Sequence, residues 1–125
     1  MTNALLQSQS GEWVEPSSQS FQAAAASADW SSSPGYYVIL TNQPGPQSWP
    51  ITGASFILMH RQPQDPAAAR SALQFFDWAY VNGKQMADEL DYVPMPDNVV
   101  QMVEQTWTED FAQVNGEPLW TGGKR

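Results

Sequence analysis

The sequence predicts an α/β protein with incomplete sheets and several helices. Two runs of aromatic, aliphatic and β-branched residues, 36–41 and 54–60, are typical of strands covered on both faces. Residues 66–82 repeat apolar side chains at three- to four-residue spacing, which indicates an amphipathic helix. Because no hairpin joins the two strands and ordinary sheets contain more strands, we expect their pairing partners to be missing from this chain.

The first half contains one predicted helix. Residues 11–16 are interpreted as a turn followed by an extended piece, and Ser17 or Ser18 caps a helix that runs to about Asp29. Residues 42–50 include three prolines, which remove backbone donors and fix φ, so neither a sheet nor a helix can continue there. We interpret them as a crossing segment between two packed units.

The second half contains the helix that the sequence defines best. Asp65 is its predicted cap, Pro66 its first residue and Gly83 its C-terminal stop. The predicted buried stripe consists of Ala69, Ala72, Leu73, Phe76 and Tyr80, widened by Ala68, Phe75 and Ala79.

Two further helices are predicted after Gly83. A short one covers 84–90, and a longer one begins near Asp97 and ends before Asn115–Gly116. The longer helix is predicted to carry on one face Val100, Val103, Trp107 and Phe111. We expect the tail, 121–125, to be disordered.

Charge excludes several classes of partner. The chain has 13 acidic and 5 basic side chains, a net charge of -8 and a pI of about 4.2. Nucleic acids and anionic membranes attract clustered Lys and Arg, so neither is an expected partner. Residues 1–60 contain no Lys or Arg, whereas every basic residue lies from Arg61 onward, which suggests a boundary near the middle.

The absence of cysteine excludes disulfides, thiolate metal sites and cysteine nucleophiles. The first residues lack the basic and apolar regions of a signal peptide, and the longest apolar runs are too short to cross a bilayer. We expect a soluble acidic chain without an export signal.

The candidate chemical groups favour structural roles. His60 is the only histidine, so a multi-histidine metal site is impossible and a structural or solvent-facing role is expected. The acidic groups 88–91 and 109–110 lack the spacing of a calcium loop. Gly83–Lys84 and 122–124 lack the rest of a phosphate-loop motif.

The aromatic cluster Phe75, Phe76, Trp78 and Tyr80 could form a binding platform, but its helical spacing favours core and lobe-to-lobe packing. No catalytic residue, metal ligand or cofactor is predicted, and we expect no enzymatic activity.

A family resemblance depends on three short sequence motifs that follow one another along the chain. They are Trp49–Thr52, which lies in the segment 48–60, then Phe75–Tyr80 and then Leu90–Pro96. The sequence closely resembles the C-terminal part of the PstS family, the periplasmic phosphate-binding proteins of bacterial phosphate ABC transporters. The resemblance extends over 3–120.

The resemblance implies a two-lobed type II periplasmic-binding-protein-like fold, of which this chain is the C-terminal part. Residues 1–43 would end the second lobe, 44–53 would cross the hinge, and 54–120 would complete the first lobe. The partners it implies are inorganic phosphate in the full-length protein, the membrane subunits of the transporter and the missing N-terminal portion. It also implies a periplasmic or cell-surface location.

The resemblance places no phosphate ligand in this chain. The family's ligands are an early threonine with neighbouring amides, a serine, an aspartate, and an arginine followed by a Ser-Gly-Thr helix start, all of which lie upstream of Met1. Thr52–Ser55 is not assigned this role. We expect a truncated segment that does not bind phosphate alone, and the alternative is a non-transport scaffold or protein-interaction module derived from the same fold.

Overall fold

A computed structural model of the protein describes residues 2–111 and 118–122. The chain divides into two compact units, the first ending at Phe56 and the second beginning at Ile57. The tail prediction for 123–125 and the predicted helix end at Asn115–Gly116 lie outside the described residues.

The first unit begins with a small antiparallel hairpin of β1 (Leu6–Gln7) and β2 (Trp13–Val14). Leu6 pairs with Val14, and the Ser8 N–H donates to the Glu12 carbonyl at 2.8 Å. Gly11 has a φ of 89°, a left-handed conformation that glycine adopts without steric cost. The sequence predicted the turn and the extended piece, but it missed the partner strand before Gly11.

Helix α1 (Ser18–Ser27) follows, as predicted from its serines. Ser17 and Ser20 form a reciprocal capping box that satisfies two backbone donors. Trp49 covers the helix, because its ring meets Phe21 edge-on at 6.2 Å and its backbone N–H donates to the Ser20 carbonyl at 3.1 Å. The packing partner that the alanine-rich helix needs is therefore supplied by the proline-rich segment.

The predicted strand at 36–41 is wrong. Short 3₁₀ turns occupy Trp30–Ser32 and Pro34–Tyr36, and Thr41 alone forms an isolated bridge, to Ile51. Leu40 is buried, whereas Tyr37 and Ile39 are exposed. A strand covered on both faces needs neighbouring strands for its N–H and C=O groups, and the described residues offer this run only that bridge.

The proline-rich segment 42–50 forms a closed loop within the first unit. The Asn42 N–H donates to the Pro50 carbonyl at 2.8 Å, next to the bridge at Thr41. Ser48 is fully buried and donates through its hydroxyl to the Pro44 carbonyl at 2.7 Å.

The predicted strand at 54–60 is also wrong. Residues 54–60 are irregular, and within the described residues no backbone–backbone hydrogen bond involves them. Phe56 and Ile57 are about half exposed, and Leu58 is 93% exposed. The apolar pattern indicates burial, but no described strand lies beside this run to bury it.

The helices of the second unit are those that the sequence predicted. Helix α2 (Pro66–Asn82) starts at Asp65, whose carboxylate accepts the N–H groups of Ala67 and Ala68 at 3.0 Å. Helix α3 spans Lys84–Glu89 and helix α4 spans Asp97–Asp110. Phe111, which the sequence placed on α4, has an extended backbone at the helix end, so α4 ends earlier than predicted.

The core of the second unit is an aromatic and aliphatic cluster. Its buried members are Ala69, Leu73, Trp107, Leu119 and Trp120, and Met59, Phe76, Tyr80, Val103 and Phe111 pack against them. The Trp107 ring stacks on Tyr80 at 6.1 Å and meets Trp120 edge-on at 5.2 Å. The predicted stripe is confirmed at Ala69, Leu73, Phe76 and Tyr80, but Ala68 and Phe75 are exposed.

Gly83 permits a close approach between the end of α2 and the start of α3. A Cβ at this position would lie 2.6 Å from the Ala79 carbonyl oxygen, and the backbone N–H donates to that same oxygen at 2.8 Å. We expect Gly83→Ala to lower the free energy of unfolding by about 1–3 kcal/mol, as overpacking does. Urea titration tests this, with Gly53→Ala as the control because its Cβ would meet nothing within 4 Å. Equal stability of the two variants would contradict the expected clash.

Candidate functional site

Helix α2 carries a second apolar stripe that the core does not use. Phe75 is 59% exposed and Trp78 48% exposed, and their rings stack at a centroid distance of 6.3 Å. The sequence predicted core and lobe-to-lobe packing for the whole aromatic cluster. Core packing is confirmed for Phe76 and Tyr80. Phe75 and Trp78 are exposed and do not pack on the core of the second unit, and lobe-to-lobe packing of these two stays a prediction.

The apolar exposure continues beyond Trp78. Large side chains at least half exposed are found at Val81 at the end of α2, Met86 in α3, Leu90 at the α3 C-cap and Tyr92 just after it. We call these four with Phe75 and Trp78 the exposed apolar set. Exposed apolar residues in such number between Phe75 and Tyr92 make this stretch a candidate surface for binding another protein segment.

The cationic side chains of the described residues all have partners within the chain. Arg61 pairs with Asp110 at 2.6 Å and Lys84 pairs with Asp97 at 2.7 Å. The Arg70 Nε donates to the Leu119 carbonyl at 3.4 Å. Both ion pairs are solvent-exposed, so each contributes roughly 0–1 kcal/mol to stability.

Helix starts are the usual backbone sites for phosphate, but those of the longer helices here are already supplied with acceptors. The Asp65 carboxylate caps α2, the Ser17 hydroxyl caps α1, and Asp97 lies in the first turn of α4. Each of these groups brings oxygen atoms or negative charge to the place where an anion would bind.

An open cavity is found among the described residues of each unit, and each of these two cavities is lined by one acidic and no basic residue. The cavity of the first unit has a volume of about 390 Å³ and is lined by Leu5, Trp13, Val14, Glu15, Ser17, Gln19, Ser20 and Gln47. That of the second unit has about 380 Å³ and is lined by Gln101, Glu104, Gln105, Thr108, Trp120 and Gly122. The only ionisable residues that line these cavities are Glu15 in the first and Glu104 in the second, so neither cavity offers a positive charge to an anion.

The other residues that the sequence singled out lie apart from these cavities. His60 is exposed, as one of the two expected roles requires. Glu89 accepts a hydrogen bond from Gln85 at 2.9 Å, and Glu109 accepts one from Gln105 at 2.7 Å. Thr52 donates its hydroxyl to the Trp49 carbonyl at 3.0 Å. Among the described residues, no three acidic or histidine side chains lie together as a metal site requires.

Tyr80 has a clear shift in acidity. Burial against Trp107 raises its pKa above the ordinary value, and the charge of Glu104 adds to the increase. The folded state therefore holds the phenolic proton more tightly than the unfolded state does. Below about pH 10 the phenol is protonated in both states, so the raised pKa does not change the free energy of unfolding. Above about pH 10 the free energy of unfolding falls as the pH rises through the Tyr80 pKa of the folded state.

We therefore expect Tyr80→Phe to reduce the loss of unfolding free energy between pH 9 and pH 11, a range around the tyrosine pKa of about 10. Urea titration at several pH values measures this, with Tyr92→Phe as the exposed control. If the free energy of unfolding of Tyr80→Phe falls with pH as steeply as that of the unmodified chain, ionisation of the Tyr80 phenol is not coupled to folding.

Comparison with known proteins confirms the family resemblance. The chain is 47% identical over 117 residues to the phosphate-binding protein PstS of Pasteurella multocida. It is 44% identical over 111 residues to that of Xylella fastidiosa and 47% identical over 108 residues to that of Haemophilus influenzae. These alignments cover 86–94% of this chain but only 30–34% of the relatives, so the chain spans about a third of their length.

No protein-family model matches the chain. In residues 2–111 and 118–122, none of the helices has both the length and the apolar character that a bilayer crossing demands.

Proposed function

We propose, on the premise that this chain is homologous to a third of the phosphate-binding proteins PstS, that it is a scaffold segment of a phosphate-binding protein that serves ABC import. The observation that carries the proposal is the 47% identity over 94% of the chain. Inorganic phosphate is the ligand of the assembled protein, and the membrane subunits of the transporter are its further partners. The place of action is the periplasm or the cell surface.

The segment contributes structure, and the phosphate ligands come from the portion of the protein that it does not span. Three features support this division. The described cations are engaged with the chain's own acceptors, the starts of α1, α2 and α4 hold serine or aspartate oxygens, and the two cavities have acidic linings. A site that binds a buried anion needs hydrogen-bond donors and positive charges that are not already engaged within the chain.

In the proposed two-lobed type II fold, residues 1–43 end the second lobe, 44–53 form the hinge crossing and 54–120 complete the first lobe. The exposed apolar set then packs against the rest of the protein. Burial of these six side chains would remove apolar area from water, which stabilises the assembly by roughly 25 cal/mol per Å². The assembled protein binds and releases its ligand and catalyses no reaction.

Phosphate titration of the isolated chain by calorimetry tests whether the phosphate ligands lie in the remaining portion of the protein. We expect no saturable heat with phosphate, as with the sulfate control, while near-UV circular dichroism of the six tryptophans reports that the chain is folded. Saturable binding that prefers phosphate to sulfate would overturn the assignment of the ligands to the remaining portion.

A further inference from the structure

The carboxylate of Asp77, on helix α2, lacks the hydrogen bonds that a shielded acidic group needs. Its Oδ1 atom is closed off from solvent and has no hydrogen-bond partner among the described residues. Several other carboxylates do accept hydrogen bonds within the chain, namely those of Asp29, Asp65, Glu89, Asp97, Glu109 and Asp110. Shielding a charged oxygen from water without a donor costs free energy, so Asp77 calls for a partner from elsewhere.

Asp77 lies on α2 where the buried stripe meets the exposed apolar set. Residues four apart on a helix share a face, and Asp77 comes four residues after Leu73 and four residues before Val81. Leu73 is fully buried, whereas Val81 belongs to the exposed apolar set and is 50% exposed. Asp77 therefore borders the surface that the remaining portion of a PstS protein covers in the proposed function.

The described arginine and lysine side chains of the chain do not supply the partner of Asp77. Arg61 and Lys84 form ion pairs with other carboxylates, and Arg70 donates to a backbone carbonyl. The net charge of -8 also leaves the chain with more carboxylates than cations. A positively charged side chain of another segment is therefore attracted to this surface.

We propose that Asp77 accepts a charge-assisted hydrogen bond from a lysine or arginine side chain in the remaining portion of a PstS protein. The inference rests on the proposed function, because the chain spans only 30–34% of the relatives and the portion it does not span is the segment that covers the exposed apolar set. Apolar contacts are non-directional, so this bond would fix the orientation in which the two portions dock.

The isolated chain gives the first test. Asp77→Asn removes the charge, keeps the shape of the side chain and changes the helix propensity little. Because no partner within the chain is lost, we expect the urea midpoint of unfolding of the isolated chain to stay unchanged or to rise. A lower midpoint would show that the chain's own fold holds the carboxylate, and it would overturn the proposal.

The same substitution should have the opposite effect in an assembled protein. The assembled protein is a chimera in which this chain replaces the 117 aligned residues of the Pasteurella multocida PstS protein. We expect Asp77→Asn to raise the unfolding equilibrium constant of the chimera by about tenfold or more, because a charge-assisted hydrogen bond is lost. A neutral N–H donor would bond to the asparagine carbonyl nearly as well, so an unchanged constant would overturn the proposal.

Asp88→Asn is the matched control, since Asp88 is an exposed carboxylate on α3. Its loss should change the unfolding equilibrium constant of the chimera by no more than a few fold, and equal losses in both variants would overturn the proposal in favour of net charge. Phosphate binding by the unsubstituted chimera separates the two claims. If that chimera binds phosphate and Asp77→Asn leaves its stability unchanged, this inference alone is wrong. If it is folded and binds no phosphate, the proposed function itself is wrong.

Discussion

Replacing Phe76 by alanine is expected to lower the free energy of unfolding by about 3 kcal/mol, near the low end of the range for large aromatic deletions. Phe76 lies on the inner stripe of α2 and packs against the cluster formed by Leu73, Trp107 and Trp120. Leu73 is fully buried, so the removal of the neighbouring ring leaves space that the cluster can fill only in part. Urea titration followed by tryptophan fluorescence measures the change.

The adjacent Phe75 supplies a matched control. It is the same residue type on the same helix but faces outward, so Phe75→Ala should cost about 1 kcal/mol or less, mainly through its edge-on contact with the Phe76 ring at 5.7 Å. If the two variants lose equal stability, or Phe75→Ala loses more, the assignment of inner and outer stripes is wrong.

Replacing Trp78 by glutamate is expected to leave the isolated chain folded and to weaken strongly its assembly with the rest of a phosphate-binding protein. Trp78 is half exposed in the chain and stacks on Phe75. In the proposed assembly this surface is covered, and burying an unpaired carboxylate there costs about 3 kcal/mol or more. Phosphate binding by a mixture of the chain with the remaining portion of a PstS protein should weaken by about a hundredfold or more.

Gln74→Glu is the control for the charge itself. Gln74 is an exposed neighbour on α2 and lies outside the exposed apolar set, so the same added carboxylate should leave assembly within a few fold of the unmodified chain. Unimpaired assembly of Trp78→Glu would show that the exposed apolar set is not the covered surface. Equal impairment of both variants would point to net charge as the cause.

The helices could be predicted from sequence because their signals are local. Asp65 followed by Pro66 defines the start of α2, and its carboxylate accepts the first free N–H groups of that helix. Ser17 does the same for α1, and Gly83 is the C-cap of α2, at a position where a Cβ would meet the Ala79 carbonyl. Such signals need no distant partner, so they were read correctly from the sequence.

The strands could not be predicted in the same way, because a strand exists only where another strand pairs with it. The runs 36–41 and 54–60 have strand composition, yet the described residues pair only Thr41, with Ile51. Conversely, the β1 and β2 hairpin forms from two residues on each side, too few for an alternating pattern to reveal.

The candidate surface was predictable only in part. Helical spacing identified the aromatic cluster, but it could not separate Phe75 and Trp78 from Phe76 and Tyr80, since both stripes are apolar. The ion pair between Arg61 and Asp110 joins residues 49 positions apart, which no local pattern can indicate. The family resemblance, by contrast, depends on sequence strings and was confirmed by the relatives.

A chimera tests the central claim most directly. The 117 residues of the Pasteurella multocida phosphate-binding protein PstS that align with this chain are replaced by this chain's own residues, and phosphate is titrated by calorimetry. If the chain is a scaffold segment, the chimera binds phosphate saturably, whereas the chain alone does not. A chimera that is folded by near-UV circular dichroism but fails to bind phosphate would contradict the account.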